Sequence, residues 1–182
     1  MKLLRTIRLD PSDSFVFDHA AEPGEWAVTG TFLFWNRNVE ALQGKARAAF
    51  RSGFVGVESL GFSTLVVVQE ATALEHAAAV EALARHILAL GAPDIETARA
   101  AASEELAFAA SLASHDPNTL VALHRLFEEG EIREQFRTIV ARDRVPGADG
   151  LHALSRVFEV REVDEPEIEE QVDLVELMGK AP

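Results

Sequence analysis

Hydrophobic and polar residues alternate over much of the first seventy positions, and this two-residue period is typical of β-strands. Four segments carry the alternation or a short apolar run of strand length: Leu3–Leu9, Glu25–Trp35, Phe54–Glu58 and Phe62–Glu70. The last two flank Leu60-Gly61 and predict a hairpin, and the run Leu65–Val68 predicts a central strand. A short helix is expected between the second and third strands, from Val39 to Arg51.

The middle of the chain changes to the three-to-four-residue period of amphipathic helices. Thr72 and Glu75 have the spacing of a capping box, in which each side chain accepts a hydrogen bond from a backbone N–H group at the start of the helix. Apolar residues then recur at helical spacing as far as Gly91. Asp94 can cap a second helix that continues to about Ser114, so the pattern predicts a helical hairpin.

Two interpretations stay open for residues 118–140. Leu120–Phe127 and Ile132–Val140 flank the turn sequence Glu128-Glu129-Gly130-Glu131. The alternation in the first segment favours a β-hairpin, whereas the second segment fits a helical face nearly as well. Further on, Ala153–Val163 predicts a last strand.

These elements predict an α+β fold, a largely antiparallel sheet packed against the helical hairpin, with a C-terminal helical tail. Residues 1–163 are expected to form a single domain, and residues 164–182 an acidic, amphipathic tail. The tail carries an apolar stripe formed by Val172, Leu174, Val175, Leu177 and Met178. It either docks on its own domain or packs on a partner subunit. In the second case Val172, Val175, Leu177 and Met178 form the interface.

Charge and cysteine content narrow the range of functions. The chain has 30 acidic and 17 basic side chains, and its net charge of -13 argues against nucleic acids and anionic membranes as partners because both would be repelled. Without cysteine there is no disulfide, thiolate zinc site or cysteine nucleophile. Arg5 and Arg8 interrupt any apolar run of the signal-peptide type, and we expect a cytoplasmic protein.

Few residues suggest chemistry. The six histidines lack metal-ligand spacing, no Gly-x-Ser-x-Gly elbow occurs, and we expect no metal, no cofactor and no catalytic residue. His115-Asp116 is the best candidate for a His–carboxylate pair, although histidine is also favourable at a helix C-terminus. The candidate ligand-binding residues are Arg5, Trp26, His115 and Asp116, and Trp26 would line an apolar pocket. Strand spacing favours a core position for Trp26, and the pocket is the alternative if that face of the sheet is open.

Three stretches resemble an uncharacterised family of short proteobacterial proteins, a domain of unknown function: Leu3–Asp13, Ala20–Val28 and Gly130–Glu134. The resemblance covers most of the chain and implies a bacterial cytoplasmic setting and a free-standing domain. It implies no catalytic residue.

We therefore favour an accessory or interaction protein that self-associates, with a dimer as the expected homo-oligomer and any other protein partner unknown. The apolar stripe of the tail and the alanine-rich hairpin favour this hypothesis over an enzyme. The alternative is a small-molecule-binding protein or enzyme with an aromatic-lined pocket and a His–carboxylate pair.

Overall fold

The computed structural model describes residues 1–8, 12–141 and 158–162. Within these ranges the chain forms eight strands and four α-helices: β1 Lys2–Thr6, α1 Ser12–Val16, β2 Trp26–Val28, α2 Gly44–Ser52, β3 Phe54–Gly56, β4 Phe62–Ser63, β5 Leu65–Glu70, α3 Ala73–Ala89, α4 Ile95–Leu112, β6 Leu120–Glu128, β7 Glu131–Ala141 and β8 Phe158–Glu162. Two 3₁₀ turns, Thr31–Phe34 and Val39–Ala41, lie between β2 and α2.

The strands form one antiparallel sheet in the order β4-β3-β2-β1-β5-β6-β7-β8. The apolar run of β5 lies between β1 and β6, as expected of a central strand, and β3 pairs with β4 as the predicted hairpin. The predicted α+β class is confirmed.

The helical hairpin forms as its capping signals predict. The Thr72 hydroxyl accepts from the backbone N–H of Glu75, whose carboxylate accepts from the backbone N–H of Thr72 in return. Asp94 accepts from the backbone N–H of Thr97 at 2.7 Å, which caps α4. Small buried residues on both helices let them approach closely: Ala79, Ala82, Ala84, Ala98, Ala102 and Ala109.

The second strand is much shorter than its alternating pattern predicts, because the chain turns at Gly30. Gly30 has φ +76°, and a Cβ atom there would collide with the Val55 side chain. Beyond this turn Phe34 lies in a 3₁₀ turn and packs with Val39 and Phe50 in a small second apolar cluster. The helix expected from Val39 therefore begins later, at Gly44.

Residues 120–141 form a long β-hairpin, which confirms the favoured interpretation of this region. Its two-residue turn consists of Glu129 and Gly130, which have φ values of 54° and 86°, as a type I′ turn requires. Directly opposite pairs across the hairpin include Leu123 with Phe136 and Arg125 with Glu134. The ring of Phe108 in α4 meets the ring of Phe136 edge-on at 6.0 Å, so α4 covers this face.

The last predicted strand is represented by β8, which pairs with β7. The tail, residues 164–182, lies outside the described residues. Among the helices that the structure describes, none has both the length and the apolar character needed to cross a bilayer.

Candidate functional site

The most unusual side chain of the fold is an arginine inside it. Arg125 in β6 has no exposed surface, and arginine is almost never fully buried unless it is paired. Its Nε donates to Oε1 of Glu134 at 2.8 Å, and this carboxylate lies directly opposite on β7. The Thr31 hydroxyl donates to the same carboxylate oxygen. The charged pair thus joins a fully buried guanidinium to a carboxylate whose side chain is 14% exposed.

The other donors of Arg125 bind backbone carbonyl groups of distant segments. Nη1 donates to the carbonyl oxygens of Phe50 at 2.9 Å and Gly53 at 3.0 Å, and Nη2 donates to that of Thr29. Because Phe50 lies in the last turn of α2, the cation also meets the negative end of that helix. Burial lowers the pKa of Arg125, although arginine remains charged in proteins. Arg125 therefore holds α2 and the end of β2 to the long hairpin.

A second carboxylate approaches this pair from α4. Burial raises the pKa of Glu105 to about 7, with a further contribution from the charge of Glu134, while Arg125 acts in the opposite direction. Oε2 of Glu105 is buried and has no hydrogen-bond partner among the described residues. The cluster thus contains two carboxylates for one arginine, and one of the carboxylates can carry a proton near neutral pH.

Replacing Glu105 by glutamine is expected to stabilise the fold at alkaline pH. The folded-state pKa lies above the ordinary value of 4.5, so the folded state binds more protons and loses stability as pH rises from about 4.5 through 7. Glutamine removes a penalty on the order of 3 kcal/mol above pH 7 and changes little below pH 4.5. Urea unfolding at both ends of this range measures the difference. Glu104→Gln, on the exposed side of α4, is the control, and an equal gain in both variants would contradict the assignment.

An open groove of about 270 Å³ lies beside the buried cluster. Residues of the two 3₁₀ turns and of the tip of the β6–β7 hairpin line this Trp35 groove: Thr31, Phe34, Trp35, Arg37, Val39, Phe127, Gly130, Glu131 and Ile132. Two of these residues also contact Arg125. The Thr31 hydroxyl accepts from Nε of Arg125 at 3.2 Å, and the guanidinium of Arg125 lies 5.5 Å from the ring centre of Phe34.

Aromatic side chains of the groove are exposed to an unusual extent. Trp35 is 69% exposed and Phe127 is 36% exposed, whereas Phe34 at the base is buried. Arg37 and Glu131 supply one charge of each sign and are both exposed. Neither side chain has an ion-pair partner in the part of the chain that the structure describes. The groove thus combines apolar contact area with one positive and one negative group.

Of the predicted ligand-binding residues, Arg5 and Trp26 come together. They are opposite one another on β1 and β2, and the guanidinium of Arg5 lies 5.1 Å from the ring centre of Trp26. Arg5 also donates to the carbonyl of Gly24 at 2.6 Å and to the Gln69 side chain at 3.1 Å. Trp26 is 8% exposed and belongs to the main core, so the structure favours its packing role.

His115 and Asp116 lie in the connection between α4 and β6. Lys2 donates to the carbonyl oxygen of His115 at 2.7 Å, which ties this connection to the start of β1. Lys2 and Arg5 lie on opposite faces of β1 because side chains alternate along a strand. A ligand-binding role for the four residues stays a prediction. The predicted interface residues Val172, Val175, Leu177 and Met178 lie outside the described residues.

Other buried carboxylates in the described ranges are fully bonded. Glu25 accepts from the backbone N–H groups of Glu22, Glu58 and Ser59, and Asp13 accepts from Ser63 and Thr64. These carboxylates hold loops in place. No group of three or more metal-ligating side chains was found among the described residues.

The sequence contains a signal for the buried cluster. The alternation of β6 places Arg125 on the same face as Leu123, which predicts an inward-facing arginine. Glu105 lies three residues after Ala102 and four before Ala109, both buried on α4, so helical spacing places it on the same face. The partners Thr31 and Glu134 carry no comparable signal.

The chain belongs to a family of unknown function, DUF6505, whose family model matches residues 1–154. This assignment agrees with the resemblance noted from the sequence. No curated protein and no solved structure matches the chain.

Proposed function

We propose that this member of the family is an interaction protein that associates with a second copy of itself through the Trp35 groove. The observation that carries the proposal is the exposure of Trp35 and Phe127 beside an apolar recess. Tryptophan is enriched among the residues that dominate binding energy at protein interfaces. Covering these two side chains removes apolar surface from water, which is the main favourable term in association.

A second copy suits the groove because its charges are self-complementary. A two-fold interface brings the same patch of both subunits together. Each contact between one residue of the first subunit and another residue of the second therefore occurs twice, the second time with the subunits exchanged. Arg37 and Glu131 both belong to the groove and have opposite charges. A two-fold arrangement places Arg37 of each copy against Glu131 of the other. Both charges, which have no ion-pair partner among the residues that the structure describes, are then paired.

Replacing Trp35 by serine is expected to shift the protein from dimer to monomer without unfolding it, because the side chain is mostly exposed in the isolated chain. Sedimentation equilibrium at several concentrations measures the association, and circular dichroism checks the fold. Leu74→Ser is the matched control, since Leu74 is 80% exposed at the start of α3 and does not line the groove. Equal dissociation constants for Trp35→Ser and the natural chain would refute the proposal.

Charge reversal sharpens this test. Arg37→Glu and Glu131→Arg are each expected to weaken association, because each places like charges against one another at both contacts of a two-fold interface. An equimolar mixture of the two variants restores both contacts and is expected to give a one-to-one heterodimer, measured by native mass spectrometry. A mixture that stays monomeric would contradict the paired arrangement.

The tail provides the competing location for the interface. A full-length chain with Val175→Ser and Leu177→Ser is expected to remain a dimer if the groove is the interface. If this variant becomes monomeric while Trp35→Ser stays dimeric, the tail is the interface and the groove is not.

A further inference from the structure

The wall of the Trp35 groove is hydrogen-bonded to the buried charge cluster. Thr31 lines the groove, and its hydroxyl donates to Oε1 of Glu134, the same oxygen that accepts from Nε of Arg125. The 3₁₀ turn that begins at Thr31 continues to Phe34, which also lines the groove and lies under the guanidinium of Arg125. The position of the Glu134 carboxylate therefore affects two residues of the groove.

Glu105 is placed to disturb that carboxylate. Glu105 lies on α4 one turn before Phe108, whose ring meets the ring of Phe136 on β7, and Glu134 is on the same face of β7 as Phe136. The charged groups that face Glu105 are Glu134 on β7, Arg125 on β6 and Glu104 on its own helix. Arg125 cannot compensate both carboxylates equally, because its Nε is bonded to Glu134 and its Nη1 to two backbone carbonyls. A negative charge on Glu105 thus repels Glu134 in a site with little water to screen it.

We propose that proton uptake by Glu105 controls the Trp35 groove through Glu134 and Thr31. When Glu105 is protonated, Glu134 stays on Arg125 and Thr31, and the groove keeps the geometry described above. When Glu105 loses the proton, repulsion weakens the bond between Glu134 and Thr31, and the 3₁₀ turn at the groove loosens. The effect on association rests on the proposed function. We expect the dimer to form more tightly below neutral pH than above it.

Carboxyl and amide NMR during a pH titration of the full-length protein test the coupling directly. The side-chain carbon of Glu105 is expected to titrate near pH 7, and the amide resonances of Thr31 and Phe34 are expected to shift with the same midpoint. Glu105→Gln abolishes these amide shifts, whereas Glu104→Gln leaves them in place. Shifts that do not depend on Glu105 persist in both variants and are thereby separated. Amides of Thr31 and Phe34 that move equally in both variants, or do not move at all, overturn the coupling.

The dimer dissociation constant on either side of neutrality tests the consequence for association. We expect it to rise on the order of fivefold on the alkaline side and to stay flat in Glu105→Gln. If the chain is monomeric at every pH while the amide resonance of Thr31 still shifts with the protonation of Glu105, self-association fails and the coupling stands. If the dimer forms but neither its dissociation constant nor the amide shift of Thr31 depends on Glu105, the coupling fails and self-association stands.

Discussion

Replacing Arg125 by methionine is expected to lower the free energy of unfolding by about 3–5 kcal/mol, the typical cost of removing one partner of a buried ion pair. The substitution leaves Glu134 without its cation and removes the donors that reach the carbonyl groups of Thr29, Phe50 and Gly53. Urea unfolding at neutral pH measures the loss. Arg125→Lys is not expected to rescue the protein, because an ammonium group cannot reproduce the planar fork of a guanidinium.

Arg133→Met is the matched control for this prediction. Arg133 lies on the neighbouring strand of the same hairpin and pairs with Glu128 and Glu129, but its side chain is 41% exposed. Its loss is expected to cost less than about 1 kcal/mol. A second comparison removes both charges of the pair: Arg125→Met with Glu134→Gln is expected to be less harmful than Arg125→Met alone, because residue 134 then carries no charge that lacks its cation. Similar losses at Arg125 and Arg133 would show that burial of Arg125 does not matter for stability.

Trp26→Ala is expected to destabilise the protein by about 3–5 kcal/mol, the usual cost of truncating a buried tryptophan. Trp26 is 8% exposed and packs in the main apolar cluster, and its loss also removes the surface on which Arg5 lies. Thermal and urea unfolding measure the effect. A ligand-pocket wall, the alternative that sequence reasoning left open, would instead tolerate the change with little loss of stability.

Trp35→Ala provides a comparison within the same residue type. Trp35 is 69% exposed, so truncation is expected to change monomer stability by no more than about 0.5 kcal/mol. The two tryptophans thus separate a packing role from a binding role. If both variants lose similar stability, Trp35 is buried in solution, either by the chain itself or by a partner.

Local signals in the sequence were sufficient for the helical hairpin, and they favoured the long β-hairpin while leaving a helix open for its second arm. Thr72, Glu75 and Asp94 cap their helices through side chains that lie within three residues of the groups they bind. The turn at Glu129-Gly130 is equally local, because its backbone conformation favours glycine. Contacts of this kind depend on neighbouring residues only, and sequence reasoning therefore predicted them.

The candidate site depends on contacts that are distant in sequence. Alternation beyond Val28 suggested a continued strand, but the close approach of Val55 to Gly30 ends it, and no pattern near Gly30 reveals that approach. Arg125 is 94 residues from Thr31 and 75 from Phe50. Its inward position was predictable from the alternation of β6, whereas the identity of its partners was not.

The position of β1 within the sheet has a consequence for the order of events during synthesis on the ribosome. β1 is made before the elements that enclose it, because it lies between β2 and β5 and is covered by α4, which ends at Leu112. This strand can pair with β2 early but is enclosed only after α4 has been translated. Until then its apolar residues Leu3 and Leu4 lack much of their final packing and are the natural binding site for a chaperone on the nascent chain.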